Sequence, residues 1–380
     1  IQENLTAIRV VKSYVRGDYE LSKFEEVNAG LQTTSERAFR VASLNMPAMQ
    51  FVMYTTILCI LWFGGNLILA GGMKVGELTG FLSYVLQVLN SLMMISNVFM
   101  MFTRSLTSWK RITEVMDEKI DITEDDARDI TVEKGDIEFD HVYFKYSSQA
   151  KEYVLSDISL KMEAGQTIGI IGRTGAAKTT LVQLIPRLYD VTEGQIRIDG
   201  YPVQEYPLKP LRDAIAMVLQ KNTLFSGTVR DNLRWGKEDA TEEEIEEACR
   251  IACVDEFIGR LENGYDTDLG QGGVNVSGGQ KQRLCIARAL LKKPKVLILD
   301  DSTSVVDTAT EAKIREGMAK SLPGTTKIII AQRISSVAHA DKIVILEDGK
   351  IHATGTHEEL LKNNLIYQEI YQSQQEGADL

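Results

Sequence analysis

TIGIIGRTGAAKTTLVQLI, residues 167–185, runs from β-branched residues through a glycine-rich turn into a helical pattern. Backbone N–H groups of such a turn surround phosphates, and the start of the helix adds its positive end. In a P-loop the lysine reaches the outer phosphates and the next hydroxyl residue holds Mg2+. Here those positions are Lys178 and Thr179. The strict pattern has glycine before the lysine, whereas this chain has Ala177. A methyl is tolerable there at negative φ, but it crowds the phosphate approach. Taken alone, the stretch leaves an ordinary strand–helix turn open.

Two further stretches narrow the choice. KVLILDDSTSVVD, 295–307, is an apolar strand ending in adjacent aspartates, Asp300 and Asp301. An acid at that place holds the Mg2+ shell of a nucleotide site. VSGGQKQR, 276–283, opens a helix at Ser277, Gly278 and Gly279, whose bare N–H groups make a second anion site. Other short strands, IEFDHVYFKY, KIIIAQ and KIVILED, alternate with helical stretches. That alternation predicts a largely parallel sheet flanked by helices.

The N-terminal third has a different character. Residues 41–73 and 78–103 contain no charged side chain, and each run exceeds the roughly 20 residues that cross a bilayer as a helix. Spans over about 46–70 and 78–103 are expected, joined by the turn GGMKVGE, with a possible kink at Pro47. Arg37, Arg40, Arg104, Lys110 and Arg111 flank the spans, while the turn holds only Lys74 among basic residues. The positive-inside rule puts both outer flanks in the cytosol and the turn outside. A cell-membrane protein with a cytoplasmic C-terminal domain follows. IRVVKSYVRGDYELSKF, 8–24, reads as amphipathic helix broken near Gly17, and the acidic run 117–129 as a solvated linker. The 380 residues carry a net charge of −11, which argues against a nucleic-acid partner. Cys59, Cys249, Cys253 and Cys285 form no metal or disulfide pattern; Cys249 and Cys253 are expected on one helix face as small buried apolar residues. The chain opens on Ile1 with no signal peptide and reads as a fragment lacking its N-terminal part.

Together these motifs resemble the C-terminal part of a type I ABC exporter, over nearly all of the chain. The fold implied is an α/β ABC-type P-loop ATPase domain (131–375). An all-α membrane region with two transmembrane helices (1–116) and the linker (117–130) precede it. By resemblance, Tyr146 stacks on adenine. Gly172, Arg173, Thr174, Gly175, Ala176, Ala177, Lys178 and Thr179, with Thr180 following, form Walker A. Gln220 is the Q-loop residue that touches Mg2+, and Asp300 closes Walker B. Val276, Ser277, Gly278, Gly279 and Gln280 form the signature, with Val in place of the usual Leu, and Ser304–Asp307 the D-loop. Residues 8–17 are similar to the stretch carrying a coupling helix.

The departures concern chemistry rather than binding. Asp301 stands where such exporters place a catalytic glutamate, and Gln332 where they place a switch histidine. TDLGQGG, 267–273, replaces a stretch that usually holds Glu and Arg before the signature. Loss of a methylene withdraws the carboxylate by on the order of 1.5 Å, and a general base must come within about 2.6–3.2 Å of its proton. Glutamine can hydrogen-bond a phosphate but cannot carry a proton or charge to it. The resemblance therefore implies a degenerate subunit of a heterodimeric exporter, with ATP and Mg2+ bound and turned over poorly. The partner would be a second half-transporter with the intact Glu and His. A slow homodimer and an ATP-sensing gating subunit are the competing readings. The cargo expected from Phe51, Tyr54, Trp62, Phe63, Tyr84 and Phe99 is amphipathic or hydrophobic, a small molecule or lipid; lipid-facing packing explains the same residues.

Overall fold

A computed structural model describes residues 2–301 and 306–376. The chain divides into two compact units, Ile1–Lys119 and Ile120–Leu380.

The first unit is helical: Gln2–Thr6, Ile8–Ser13, Gly17–Leu69 and Val75–Met116. The expected break near Gly17 is present, with Val15 at φ 52° between the helices. The long helix passes through Pro47 without ending. Met46–Leu69 and Val75–Met116 are long and apolar enough to cross a membrane, and almost none of either apolar stretch is buried. Their exposure is unlike that of a soluble core helix, which is mostly buried. Hydroxyls within the apolar stretches bond back along their own helix: Thr55 to the Phe51 carbonyl at 2.8 Å and Ser83 to that of Thr79 at 2.9 Å. Such bonds satisfy a polar group where no water is available. The first long helix stops where Gly71, at φ 74°, donates to the Ile68 carbonyl and Gly72 to that of Leu67. The next begins where the Lys74 N–H meets the Glu77 carboxylate. Leu78 then lies against Gly64, where an added Cβ would sit 2.3 Å from its Cδ1, so a larger residue there would force the Leu78 side chain to move.

The second unit has two sheets. β1 (Ile137–Phe144), β2 (Leu155–Met162), β4 (Glu193–Ile198) and β5 (Tyr201–Pro202) form an antiparallel sheet in the order β2-β1-β4-β5. β3 (Thr167–Ile171), β6 (Ile215–Val218), β7 (Val296–Asp300), β8 (Thr326–Ile330), β9 (Lys342–Glu347) and β10 (Lys350–Gly355) form the other, in the order β10-β9-β3-β8-β7-β6. Only the β9–β10 hairpin of this sheet is antiparallel, turned at Asp348 and Gly349, both at positive φ. IEFDHVYFKY thus belongs to a separate antiparallel sheet and not to the parallel one. Its alternating burial is the period of a sheet wet on one side. The parallel strands read as continuous apolar runs because both faces are covered. Val296 and Ile298 enter the core shared with the antiparallel sheet. Leu297 and Leu299 enter the core shared with the helices Val229–Arg234, Glu242–Ile251 and Gly278–Leu291.

One local expectation gains detail and another is corrected. The acidic run is largely exposed, and its second half is tied to the second unit: the Arg128 N–H donates to the Glu205 carbonyl at 2.7 Å and the Glu124 carboxylate accepts from Leu208. Charge density signals solvation but says nothing about backbone partners. Cys253 lies beyond the end of the helix holding Cys249, at φ 55°, so the two share no helix face. Cys249, Cys253 and Cys285 are buried free thiols, and burial pushes that of Cys249 up to about 12.

Candidate nucleotide site

Parallel strands bring the motifs together. β3 pairs with β8, and β8 with β7, so their C-terminal ends lie side by side. Walker A follows β3, the aspartates end β7, and Gln332 follows β8. Gly172 begins the loop where a Cβ would stand 2.1 Å from the Leu346 carbonyl oxygen. The helix Lys178–Gln183 follows.

Ala177 takes φ 67°, ψ 25°, the left-handed conformation rather than the negative φ that would suit it. That conformation costs an L-residue roughly 1–2 kcal/mol. Packing against the core beneath the loop offsets part of the cost.

Lys178 Nζ donates to the carbonyls of Gly172 and Arg173 at 2.8 and 2.9 Å, so it lies folded across the loop. Burial lowers its pKa, against the pull of the Asp301 and Asp300 carboxylates. The Thr179 hydroxyl donates to Asp300 Oδ1 at 3.1 Å. Asp300 Oδ2 is buried and has no hydrogen-bond partner among the described residues. Burial raises the Asp300 pKa, while the Thr179 bond lowers it. An unmatched carboxylate oxygen beside a hydroxyl fits a divalent cation in the phosphate shell, so Thr179 and Asp300 are suited to Mg2+. Bound there, the ion would neutralise phosphate charge.

Asp301 sits at φ 47° and is 9% exposed. Its Oδ2 accepts a hydrogen bond from Gln332 Nε2 at 2.5 Å. The residues at the two altered positions are therefore engaged with each other. A cavity of about 310 Å3 lies in front of them, lined by Thr174, Gly175, Ala176, Ala177, Lys178, Thr179, Thr180, Gln220, Asp300, Asp301 and Gln332. Val154 and Ile330 line it as well; no motif marks either, and only the topology brings them there. Tyr146 is not in the lining, but its hydroxyl shares a 2.9 Å hydrogen bond with Thr180. Its ring is half exposed and meets Phe144 and Tyr189 edge-on.

The signature residues stand apart from this cavity. Ser277 caps the helix Gly278–Leu291: its Oγ accepts from the Gln280 N–H, and Gln280 Oε1 accepts from the Ser277 N–H at 2.8 Å. None of Ser277, Gly278, Gly279 and Gln280 lines the P-loop cavity. Asp307 caps the helix Thr308–Ser321 by accepting from the Thr310 N–H at 2.9 Å, which holds its carboxyl below the usual range. Ser304 and Val305 of the expected D-loop lie outside the described residues.

Comparison with known proteins gives a consistent result. Residues 1–92 match the ABC transporter transmembrane region and residues 155–304 the ABC transporter domain, together more than half of the chain. The chain is 43% identical over 381 residues to the uncharacterized ABC transporter ATP-binding protein YfiB of Bacillus subtilis, covering 100% of this chain and 66% of that protein. It is 37% identical over 375 residues to an ATP-dependent lipid A-core flippase of Desulfotalea psychrophila, covering 98% of this chain and 65% of the relative. Among solved structures, a bacterial Atm1-family ABC exporter with ATP bound superposes with a TM-score of 0.90 at 29% identity, over 98% of this chain and 65% of that one. The chain thus spans just under two thirds of these proteins' length. It belongs to the ABC transporter ATPase family, carrying the transmembrane region followed by the ATP-binding domain.

Proposed function

We propose that this chain is the ATP-binding, membrane-spanning subunit of an exporter in the cell membrane, with its ATPase domain in the cytoplasm. Its own Walker site holds MgATP and hydrolyses it slowly. Its Ser277–Gln280 helix start completes the active site of a partner half-transporter that keeps the glutamate and histidine. The hydrogen bond from Gln332 to Asp301 carries the reading. A base that is short by one methylene, and already engaged by a neutral amide, is poorly placed to take a proton from water. General base catalysis is worth roughly 10²–10⁴-fold, or about 3–5 kcal/mol of barrier. The binding groups Lys178, Thr179 and Asp300 are unaffected. Separation of the signature from the P-loop cavity within one chain supports a site shared between two chains. An amphipathic or hydrophobic cargo fits the exposed Phe51, Trp62 and Tyr84 of the spans and the lipid substrate in the name of the flippase relative. The test is ATP-dependent uptake of amphipathic dyes and lipids into inside-out vesicles holding this chain with a candidate partner. Uptake that needs both chains supports the proposal. Equal uptake with this chain alone favours a slow homodimer, and ATP-gated conductance without uptake favours a sensing subunit.

A further inference from the structure

The last described helix, Leu365–Glu376, is anchored near its start. Tyr367 is fully buried, its hydroxyl shares a 2.6 Å hydrogen bond with His357 Nδ1, and its N–H donates to Asn364 Oδ1. Further along, the helix stands over a cavity of about 740 Å3 whose other wall includes Arg333, Ile334 and Ala338. One side chain bridges the gap. Gln374 Oε1 accepts from the Ile334 N–H at 2.8 Å, and Gln374 Nε2 donates to the Gln332 carbonyl at 2.8 Å. Both amide atoms of Gln374 are thus spent on the 332–334 backbone, one of them on Gln332, whose own side chain holds Asp301. Among the described residues, these are the hydrogen bonds that tie this helix to the 332–334 stretch.

We infer that Gln374 is a positioning residue of the nucleotide site: by fixing the backbone at 332–334 it keeps Gln332 paired with Asp301, and so keeps this site slow. The inference rests on the slow-site proposal above. It extends that proposal from the two altered residues to a helix outside every nucleotide motif. Ile334 itself is anchored in the core, but the cavity beside Gln374 leaves that side chain room to adjust.

The experiment uses the whole transporter, with the nucleotide held by this chain followed through 8-azido-[α-32P]ATP. After photo-crosslinking and isolation of the chain, the ADP-to-ATP ratio gives hydrolysis at this site alone. Gln374→Ala is expected to speed conversion about two- to tenfold, the factor that one hydrogen bond of ordinary net strength controls, with half-saturation by MgATP unchanged. Gln374→Glu keeps the acceptor for Ile334 but loses the donor to Gln332, and should give the same gain. In a Gln332→Ala background neither change should have an effect, because the link acts through that side chain. Amide exchange at Ile334, measured without nucleotide, should rise in Gln374→Ala. Unchanged exchange overturns the link itself. Raised exchange with unchanged or slower hydrolysis, or an equal gain in the Gln332→Ala background, overturns its role in holding the site slow. Failure of the wild-type chain to take up the nucleotide at all counts against the slow-site proposal, while the exchange result still judges the link.

Discussion

Asp301 and Gln332 show how much one hydrogen bond alters the meaning of two substitutions. On the slow-site proposal each would weaken catalysis for its own reason, and the 2.5 Å bond between them would make them one unit. Asp301→Glu alone restores reach but leaves a neutral partner, so a partial gain is expected. Adding Gln332→His should raise turnover by more than the sum of the single changes, since groups serving one transition state are not additive. Steady-state hydrolysis of the four combinations checks this, and simple additivity would refute the coupling. If Lys178 is a binding group, as proposed, Lys178→Ala should weaken MgATP at this site at least tenfold in a fluorescent-nucleotide titration; unchanged occupancy would remove the P-loop assignment. At Ala177, relief of left-handed strain is worth roughly 1–2 kcal/mol. Glycine's greater freedom in the unfolded chain returns about 0.4–1 kcal/mol of that, and the lost methyl contact returns more. Ala177→Gly should therefore leave the melting temperature near that of the wild type while tightening MgATP. Weaker binding would show that the methyl does not crowd the phosphates.

Elements carried different amounts of information in the sequence. β3, β7, β8 and β9 were legible because a strand covered on both faces must be apolar throughout. The Walker residues followed, since their placement needs only strand, turn and helix. β1 was misplaced because its sheet is defined by pairing with β2 and β4, strands that sequence reading did not single out. The strap at Arg128 and the bridge from Gln374 rest on backbone carbonyls and N–H groups, which no residue type announces. Left-handed Ala177 was signalled only by the glycine that the P-loop pattern places there, since alanine itself favours negative φ. Ser277 was legible as a helix cap, which the structure shows, and the resemblance gives it a proposed second role in the signature; the two separate by substitution. Ser277→Ala removes the cap and should cost about 1 kcal/mol of stability, seen in chemical denaturation. Ser277→Arg should also stop most turnover of the two-chain complex, by filling the space of a γ-phosphate. Turnover that survives Ser277→Arg would rule out a site shared between chains.

Across the whole molecule, two exposed apolar helices and a nucleotide-binding domain occupy one chain. The basic flanks predict an orientation, with the turn at Lys74 outside. In a Cys59→Ser background, Lys74→Cys should react with a membrane-impermeant maleimide added outside intact cells; labelling only after the membrane is opened would invert the topology. The division between holding nucleotide and hydrolysing it is the property on which function turns. It is read most directly by following 8-azido-[α-32P]ATP crosslinked to this chain in the assembled transporter. The expected result is nucleotide that stays largely as ATP in the wild type and converts to ADP at least tenfold faster in the Asp301→Glu, Gln332→His chain. Wild-type conversion as fast as in the double variant would contradict a slow site and leave Asp301 an effective base.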